Sequence, residues 1–543
     1  MIEPTRPILS RRTAVALVAG IALVTLWLNL WELRADLPAV LHSDYVQADQ
    51  AVEFLRTGRV NDYAVYPVPL VFVYAATYAA SYVVGHALGW GHYADWDTFL
   101  QHLARTEVNQ ALGRAVGAVC AALLAVAVYR LARVRFERDV AVLASAMAAF
   151  SPLQTIYAHQ VRPHVPVIAI IVLVAPAVLR AALQPGFRTG LLSGLGSGVA
   201  AAVFQIGLPY AASACALIVL FARPLRVLAR TLAGAAAGIA LGWVGLSLLT
   251  TAPWLLAEGT HRAGVLFRGK SGGLGYGVTD VFGQLGRFKG IGPLWLGAEP
   301  LCALAFVAFL VLCVLKRRSW RDVLLYGVPA ATILAGIGVI HMPRPRYTMY
   351  ATPFLATLAA SALLAIPARP RHWLAARWAV VALFVLVPLA SSIRSDVLLS
   401  RSDTRIATHA ALTPLSKSGL RVVVQSDILP AVIGIPAHIT LFPPNADYRP
   451  WMSKKETPRQ TLLRLQPDVF IKARSATDVP DQDLQRMGLT TAFRFGGETA
   501  FIPDEPMWVL YELWAAERPG PQVMCLTHRE LIDKVRAVEG ATR

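Results

Sequence analysis

Directly after its first long apolar segment, the chain reads His42-Ser-Asp-Tyr-Val-Gln-Ala-Asp-Gln-Ala-Val-Glu-Phe-Leu-Arg-Thr-Gly58 and continues to Tyr66-Pro-Val-Pro-Leu70. This is the first place where carboxylates gather beside a segment of membrane length: Asp44, Asp49, Glu53 and Asp62. Residues 46–57 have helical periodicity, and Gly58 is well placed to end the helix. Its apolar and acidic faces are distinct, so we expect an amphipathic helix in the membrane interface.

Asp44 precedes this predicted helix, and its local pattern allows two roles. With Gln47 three residues later it forms a capping-box pattern, in which the carboxylate accepts an amide hydrogen bond. A carboxylate at the water–lipid boundary can also act as a general base. The local pattern leaves both roles open and favours the cap. Asp49, Glu53 and Asp62 fit a solvated polar face better than a catalytic role.

Composition indicates a membrane protein. Of the 543 residues, 56% are apolar and 15% are charged, whereas soluble proteins carry about 25% charged residues. The mean hydropathy is +0.51, and several windows reach the ~20 apolar residues that span a bilayer. The net charge of +18 lies in short basic tracts between apolar segments, which orient a multi-spanning chain and argue against a nucleic-acid partner. The five cysteines form no disulfide or metal pattern.

Eleven membrane spans are predicted from the apolar segments. They cover residues 13–30, 115–131, 140–158, 165–183, 190–206, 208–222, 230–250, 296–315, 323–341, 347–366 and 373–391. Arginines before the first span place the N-terminus in the cytoplasm. The apolar run from Tyr66 to Val84 is left out, because a crossing there would turn every later basic tract outward; it would lie along the outer surface or re-enter. The alternative is a miscounted pair within residues 190–222.

The chain divides into two predicted domains, a transmembrane domain at 1–392 and an extracytoplasmic α/β domain at 393–543. Arg421-Val-Val-Val-Gln and Asp468-Val-Phe-Ile-Lys indicate strands, and the spacing of Leu531, Val535 and Val538 indicates a helix. The predicted fold class is mainly α, a polytopic membrane helical bundle of about eleven spans with interfacial helices in the first external loop and a small C-terminal α/β domain.

Two further clusters lie at predicted outer ends of spans. The first is Ser151-Pro-Leu-Gln-Thr-Ile-Tyr-Ala-His159-Gln-Val-Arg162-Pro-His164, and the second is His341-Met-Pro-Arg344-Pro-Arg346-Tyr347. Outward arginines run against the positive-inside trend, and guanidinium groups recognise phosphate bidentately. Lipid headgroups or a phosphorylated lipid substrate are the alternative partners. No metal site is predicted.

Carboxylates and cations from distant parts of the chain on one membrane face match the needs of sugar transfer from a lipid phosphate. The acceptor hydroxyl needs one general base, and the departing phosphate needs fixed positive charge. One carboxylate and several arginines are enough for an inverting single displacement.

The sequence resembles the GT-C superfamily of polytopic glycosyltransferases, in the branch of the dolichyl-phosphate-mannose protein mannosyltransferases and the bacterial enzymes that use polyprenyl-phosphate sugars. The matching stretches occur in the family's order over about residues 1–365 and include His42-Ser-Asp44, Tyr66–Leu70, Arg114–Arg135, Ser151–Pro163, Gly190-Leu-Leu-Ser-Gly-Leu and Arg346–Pro353. The resemblance implies that Asp44 is the catalytic base. The substrate-binding residues are then predicted to be Asp49, Glu53, Tyr66, His159, Arg162, His164, His341, Arg344, Arg346 and Tyr347.

Two departures from the family pattern affect the expected chemistry. The family often has Asp-Glu where this chain has Asp44-Tyr45, so a second carboxylate is lost or moved to Asp49 or Glu53. The family often has Pro-Asp where this chain has Pro163-His164, which bears on acceptor type and metal dependence. No cofactor is predicted, and a divalent metal has no support in the sequence.

The predicted function is transfer of a sugar from a polyprenyl-phosphate donor to a glycan, lipid or protein acceptor at the outer face of the plasma (inner) membrane. The other expected partners are membrane lipids. A transporter or lipid flippase is the main alternative, although the chain shows no internal repeat and its ionisable residues cluster at one face. A non-catalytic membrane scaffold is the other.

Overall fold

The computed structural model describes residues 9–31, 33, 34, 37, 46–60, 68–204, 206–250, 291–340, 345–366, 371–425, 439–442, 458–473, 481–496 and 508–540. These residues form two compact units. The helical unit contains the described residues up to 396 except 34 and 37, together with 508–510, and the sheet unit contains the rest. Whether residues 1–392 and 393–543 are independent domains stays a prediction.

The helical unit is built mainly from apolar helices. Its helices are α1 (Arg11–Leu30), α2 (Val46–Thr57), α3 (Pro69–Ala87), α4 (Trp96–Leu103), α5 (Thr106–Ala132), α6 (Arg138–Ala149), α7 (Pro152–Ala158), α8 (His164–Leu183), α9 (Phe187–Val203), α10 (Gly207–Phe221), α11 (Leu225–Ile239), α12 (Leu246–Thr250), α13 (Ile291–Ala298), α14 (Pro300–Val314), α15 (Trp320–Ile340), α16 (Thr352–Leu363) and α17 (Arg371–Leu399). A π-helical segment, Ala240–Gly245, joins α11 to α12. A 3₁₀ turn at Pro345–Tyr350 precedes α16.

The mainly helical, membrane-type fold is confirmed, and every predicted span overlaps a helix. By length and apolar composition, six helical segments among the described residues can cross a bilayer, or seven if α6 and α7, bent by 52°, form one broken span. α10, α14 and α16 are shorter apolar helices. The six include α3, which the sequence analysis left out of the count. The number eleven therefore stays a prediction.

The helix that follows Asp44 forms where its periodicity predicts it, over Val46–Thr57. Its apolar face is buried at Ala48 and Val52, and Phe54 packs edge-on against Phe72 of α3 with ring centroids 4.9 Å apart. Gly58 ends the helix with a φ of +72°, a conformation that disfavours any side chain.

α9 and α11 pack with their backbones in contact, and α9 contains the stretch Gly190-Leu-Leu-Ser-Gly-Leu. A Cβ atom added to any of the facing glycines would collide with the backbone of the other helix: Gly190, Gly194 and Gly198 of α9, Gly234 and Gly238 of α11, and Gly242 of the π-helical segment. At Gly198, for example, it would lie 2.6 Å from the carbonyl oxygen of Ile239. The contacting positions advance together, so α9 and α11 run parallel. α10 lies between them in the sequence and must therefore run in the opposite direction. Residues 190–222 thus hold two helices, α9 and α10.

Because of this packing, we predict that one added methyl group lowers the stability of the protein. Gly194→Ala would drive a Cβ into the carbonyl oxygen of Ala235, and such overpacking costs about 1–3 kcal/mol of unfolding free energy. Gly20→Ala in α1 is the control, because nothing lies within 4 Å of a Cβ there. We expect thermal unfolding in detergent to occur at a lower temperature for Gly194→Ala only. Equal midpoints for both variants would contradict the close packing.

The second unit is a five-stranded sheet with helices on both faces. Its strands are β1 (Val422–Gln425), β2 (Ile439–Phe442), β3 (Val469–Ala473), β4 (Leu489–Phe495) and β5 (Val523–His528), in the order β2-β1-β3-β5-β4. β1 pairs parallel with β2 and β3, and β5 pairs antiparallel with β3 and β4. The helices are α18 (Thr404–Lys417), α19 (Pro458–Leu465), α20 (Asp481–Arg486), α21 (Val509–Ala515) and α22 (Ile532–Gly540).

Alternating side chains of the strands bury on two opposite faces of this sheet. Val422, Val424 and Ile471 pack with Leu412 of α18 and Val535 of α22. On the other face, Val423, Phe470 and Met524 pack with Leu462 of α19 and Leu484 of α20. The predicted small C-terminal α/β fold is confirmed, and β1 and β3 overlap the strands predicted at residues 421–425 and 468–472.

Candidate functional site

The site begins at the break between α6 and α7. Ser151 caps α7 by accepting a hydrogen bond from the amide of Gln154, and Pro152 follows at the first helical position. The Ser151 hydroxyl also donates to a carboxyl oxygen of Glu299, which is buried. α7 is only seven residues long, so the chain turns at His159–Pro163 and enters α8 at His164.

Two glycines of α5 allow this turn to lie against the helix. A Cβ at Gly117 would lie 2.6 Å from the carbonyl oxygen of Ala158, and one at Gly113 would lie 2.9 Å from a methyl group of Val161. Small residues of this kind permit close backbone approach between membrane helices. The polar residues of the turn are therefore held beside the N-terminal part of α5.

His164 joins the two clusters that the sequence analysis singled out. Its Nδ1 lies 2.9 Å from the hydroxyl of Tyr350, and its ring is nearly perpendicular to the ring of Tyr347 at a centroid distance of 5.6 Å. The rings of Tyr157 and Phe204 stand edge-on to it at 5.9 and 5.7 Å. The structure thus brings His164 and Tyr347 together inside a buried aromatic cluster.

Two of the predicted phosphate-binding arginines stack on tyrosine rings beside this cluster. The guanidinium carbon of Arg162 lies 5.9 Å from the centroid of the Tyr157 ring, and that of Arg346 lies 5.3 Å from the Tyr347 ring. Arg162 is 1% exposed, whereas Arg346 is half-buried. Attraction between a cation and the face of an aromatic ring favours these positions of the guanidinium groups.

His159 ends α7 with both ring nitrogens directed at protein oxygens. Nδ1 lies 2.9 Å from the carbonyl oxygen of Thr155, and Nε2 lies 2.8 Å from that of Trp31. The carboxylate of Asp396 in α17 is 3.7 Å from Nε2. His159 therefore connects α7 to the chain just beyond α1 and to the end of α17.

Asp49 of α2 reaches α5 at one helical turn from this region. Its Oδ1 accepts a hydrogen bond of 3.2 Å from the side-chain Nδ2 of Asn109, and Gly113 lies four residues further along α5. Partial burial of the carboxyl group raises the pKa of Asp49, and the Asn109 bond lowers it by less. Glu53 is half-buried on the next turn of α2.

Four of the predicted site residues lie outside the described residues: Asp44, Tyr66, His341 and Arg344. The predicted roles of all the site residues stay predictions. Among the residues that the structure describes, no three His, Cys, Asp or Glu side chains cluster at metal-binding distance, and metal dependence likewise stays a prediction.

Sequence reasoning missed Asp396 and Glu299, which are both buried polar members of the site. The signal for Asp396 is the run Ser391-Ser-Ile-Arg-Ser-Asp396, which places Ser391, Ser392 and Ser395 on one helical face with the carboxylate. Small polar residues at the end of an apolar span indicate a buried polar contact. Glu299 has a weaker signal, a single carboxylate immediately before Pro300 at the start of a span.

The family model for dolichyl-phosphate-mannose-protein mannosyltransferase matches residues 101–255. The predicted resemblance is confirmed. The matched segment contains α5 and the α7–α8 turn, and so carries His159, Arg162 and His164. The match covers this segment alone, and the chain as a whole is a multi-pass membrane protein. No curated protein matches the chain.

Several solved structures are similar over most of this chain. ArnT from Cupriavidus metallidurans bound to undecaprenyl phosphate has 14% identity and a TM-score of 0.45, over 96% of this chain and 99% of that one. The oligosaccharyltransferase AglB from Archaeoglobus fulgidus in complex with an inhibitory peptide and a dolichol-phosphate has 12% identity and a TM-score of 0.46, over 85% and 69%. The arabinofuranosyltransferase AftD from Mycobacteria has 16% identity and a TM-score of 0.34, over 96% and 40%.

Proposed function

We propose that the chain is an inverting glycosyltransferase that moves a sugar from a polyprenyl-phosphate donor to an acceptor hydroxyl. One observation carries the proposal. Buried polar side chains of the α7–α8 turn contact two distant parts of the helical unit, the Pro345–Tyr350 turn through His164 and α17 through His159. They do so within residues 101–255, which match a family named for a lipid-phosphate sugar donor.

The arginines provide the charge that the leaving group needs. As the bond between sugar C1 and the phosphate oxygen breaks, its electron pair stays on the lipid phosphate. Arg162 and Arg346, with Arg344, would bind that phosphate, because a guanidinium group held on an aromatic ring offers two parallel donors. A fixed cation stabilises the developing charge without any proton transfer.

Asp44 is proposed to accept the proton of the acceptor hydroxyl as its oxygen forms the new bond to C1 on the opposite face of the sugar. A single displacement of this kind inverts the anomeric centre and needs one base. Asp49 would then orient the acceptor or donor sugar, since its carboxyl is held by Asn109 at the edge of the same polar region.

The sidedness of the reaction follows from the basic tracts. The turns between α5 and α6, α10 and α11, and α14 and α15 carry Arg133 and Arg135, Arg223, and Lys316–Arg318. Excess Lys and Arg mark cytoplasmic turns. The N-terminus is thus proposed to be cytoplasmic, with the site and the sheet unit on the outer face of the plasma membrane.

The test is direct transfer by purified full-length protein. It is incubated with a panel of polyprenyl-phosphate hexoses and pentoses, and with glycan, lipid and peptide acceptor pools. Release of polyprenyl phosphate is measured by mass spectrometry. We expect release from one donor that depends on an acceptor pool, with an inverted anomeric centre in the product by NMR. Nucleotide sugars are the matched control and should give no transfer, because they lack the lipid chain.

Each result decides between the alternatives. Release of lipid phosphate with inversion supports the proposal, and release with retention overturns the single displacement. A folded protein that binds the donors but releases nothing from any of them, with any acceptor pool, contradicts the glycosyltransferase and favours a flippase or scaffold.

A further inference from the structure

His159 occupies an arrangement that only one protonation state satisfies. Both of its ring nitrogens lie within hydrogen-bond distance of backbone carbonyl oxygens, at 2.9 Å for Thr155 and 2.8 Å for Trp31. A carbonyl oxygen accepts hydrogen bonds and never donates them. A neutral imidazole carries one N–H and can donate to only one of the two oxygens, whereas the imidazolium donates to both.

A buried imidazolium needs a counterion, and the structure supplies one. His159 is 3% exposed and Asp396 is 1% exposed, and the carboxylate oxygen lies 3.7 Å from Nε2. An isolated charge in such a place is strongly disfavoured, and pairing offsets the cost. Asp396 is held in position one turn after Ser392, whose hydroxyl donates to the carbonyl oxygen of Phe150 at the end of α6.

The guanidinium of Arg114 is a second cation, and it binds the chain just after the end of α1. Arg114 of α5 is 2% exposed and donates from Nη1 to the carbonyl oxygen of Leu33 at 2.9 Å. α1 ends at Leu30. The last carbonyls of a helix lack helical partners and carry the negative end of its dipole, so a cationic donor is favoured at the carbonyl of Trp31, the C-cap of α1.

We propose that His159 is a protonated positioning residue rather than a ligand of the substrate. With its counterion Asp396, and beside Arg114, it fixes the point at which the chain leaves α1. The catalytic consequence rests on the proposed function, because the segment that leaves this point reaches Asp44 thirteen residues after Trp31. The charge state of His159 is independent of that function.

The charge state is tested by ¹⁵N NMR of the full-length protein labelled at histidine, at about pH 8, where an unperturbed histidine is mostly neutral. The His159 signal is assigned by its loss in His159→Gln. We expect both ring nitrogens to resonate as protonated, and Asp396→Asn to convert one of them to the unprotonated form. A neutral His159 in the unmodified protein, or an unchanged imidazolium in Asp396→Asn, overturns the proposal.

The positioning role is tested by steady-state kinetics of the same variants. In His159→Gln we expect kcat to fall by about 10- to 100-fold with an unchanged KM for the donor, because a displaced catalytic group slows chemistry without weakening donor binding. A substrate ligand would instead raise KM. His372→Gln, an exposed histidine on the same helix as Asp396, is the control and should match the unmodified protein.

The two readouts separate the failure of this proposal from failure of the proposed function. A protonated His159 without any transferase activity would support the ion pair and leave only its catalytic consequence overturned. If His159→Gln does not fold, Asp396→Asn gives the same kinetic test, with an expected fall in kcat and an unchanged KM.

Discussion

Asp44→Asn is expected to lower kcat for sugar transfer by about 10²–10⁴-fold, the usual contribution of a positioned general base. The amide that replaces the carboxylate cannot accept the proton of the acceptor hydroxyl. Donor binding should change little, because the phosphate is bound by arginines in the proposed mechanism. Single-turnover release of polyprenyl phosphate, at saturating donor and acceptor, measures the change.

The substitution also separates catalysis from helix capping. Asparagine caps a helix about as well as aspartate, whereas alanine costs about 0.5–2 kcal/mol of stability at a cap position. If Asp44 only caps the helix that begins at Val46, Asp44→Asn keeps full activity and Asp44→Ala lowers the unfolding temperature. Asp97→Asn is the control, because Asp97 is an exposed residue of α4, and this variant should transfer sugar normally. Full transfer by Asp44→Asn would exclude Asp44 as the base.

Local patterns were enough to predict the elements that surround the site. Helical periodicity over residues 46–57 gave α2 with its bounds, and Gly58 ends it with a positive φ. The β-branched run after Arg421 predicted β1. These successes share a cause, because the apolar period and the terminal residues are set within a few turns of chain.

Contacts between distant residues could not be predicted in this way. Ser151 bonds to Glu299 across 148 residues, and His164 to Tyr350 across 186. His159 was predicted to bind substrate because of the family resemblance of its segment, Ser151–Pro163. Nothing in that segment indicates that Trp31 and Asp396 lie beside the His159 ring, because both residues are distant in the sequence. Composition likewise cannot distinguish a membrane-spanning helix from a helix that lies along the membrane surface. α3 is an example, because it has the length and hydropathy of a span, although the sequence predicted that it lies along the surface or re-enters.

Arg162→Gln is expected to lower kcat/KM for the donor by about 10²–10³-fold, as when one donor to a developing anion is removed. Arg162 is buried in the α7–α8 turn, where its backbone amide donates to the carbonyl oxygen of Gln160 at 2.8 Å and its guanidinium lies over Tyr157. The kcat/KM of Arg162→Lys should lie between the values of the unmodified protein and Arg162→Gln, because lysine keeps the charge but lacks the planar pair of donors. Arg180→Gln, exposed at the other end of α8, is the control.

The alternative partner for Arg162 is the headgroup of an ordinary membrane lipid. Measurements in detergent and in anionic bilayers distinguish this headgroup from the donor phosphate. If Arg162 binds the donor phosphate, the loss of kcat/KM in Arg162→Gln persists in a detergent free of anionic lipid. If it binds bulk headgroups, the variant matches the unmodified protein there and differs only in anionic bilayers. Thermal unfolding of each variant shows whether the fold is retained. If Arg162→Gln unfolds, Arg162→Lys gives the same comparison of detergent with anionic bilayers, because lysine keeps the charge but lacks the planar pair of donors.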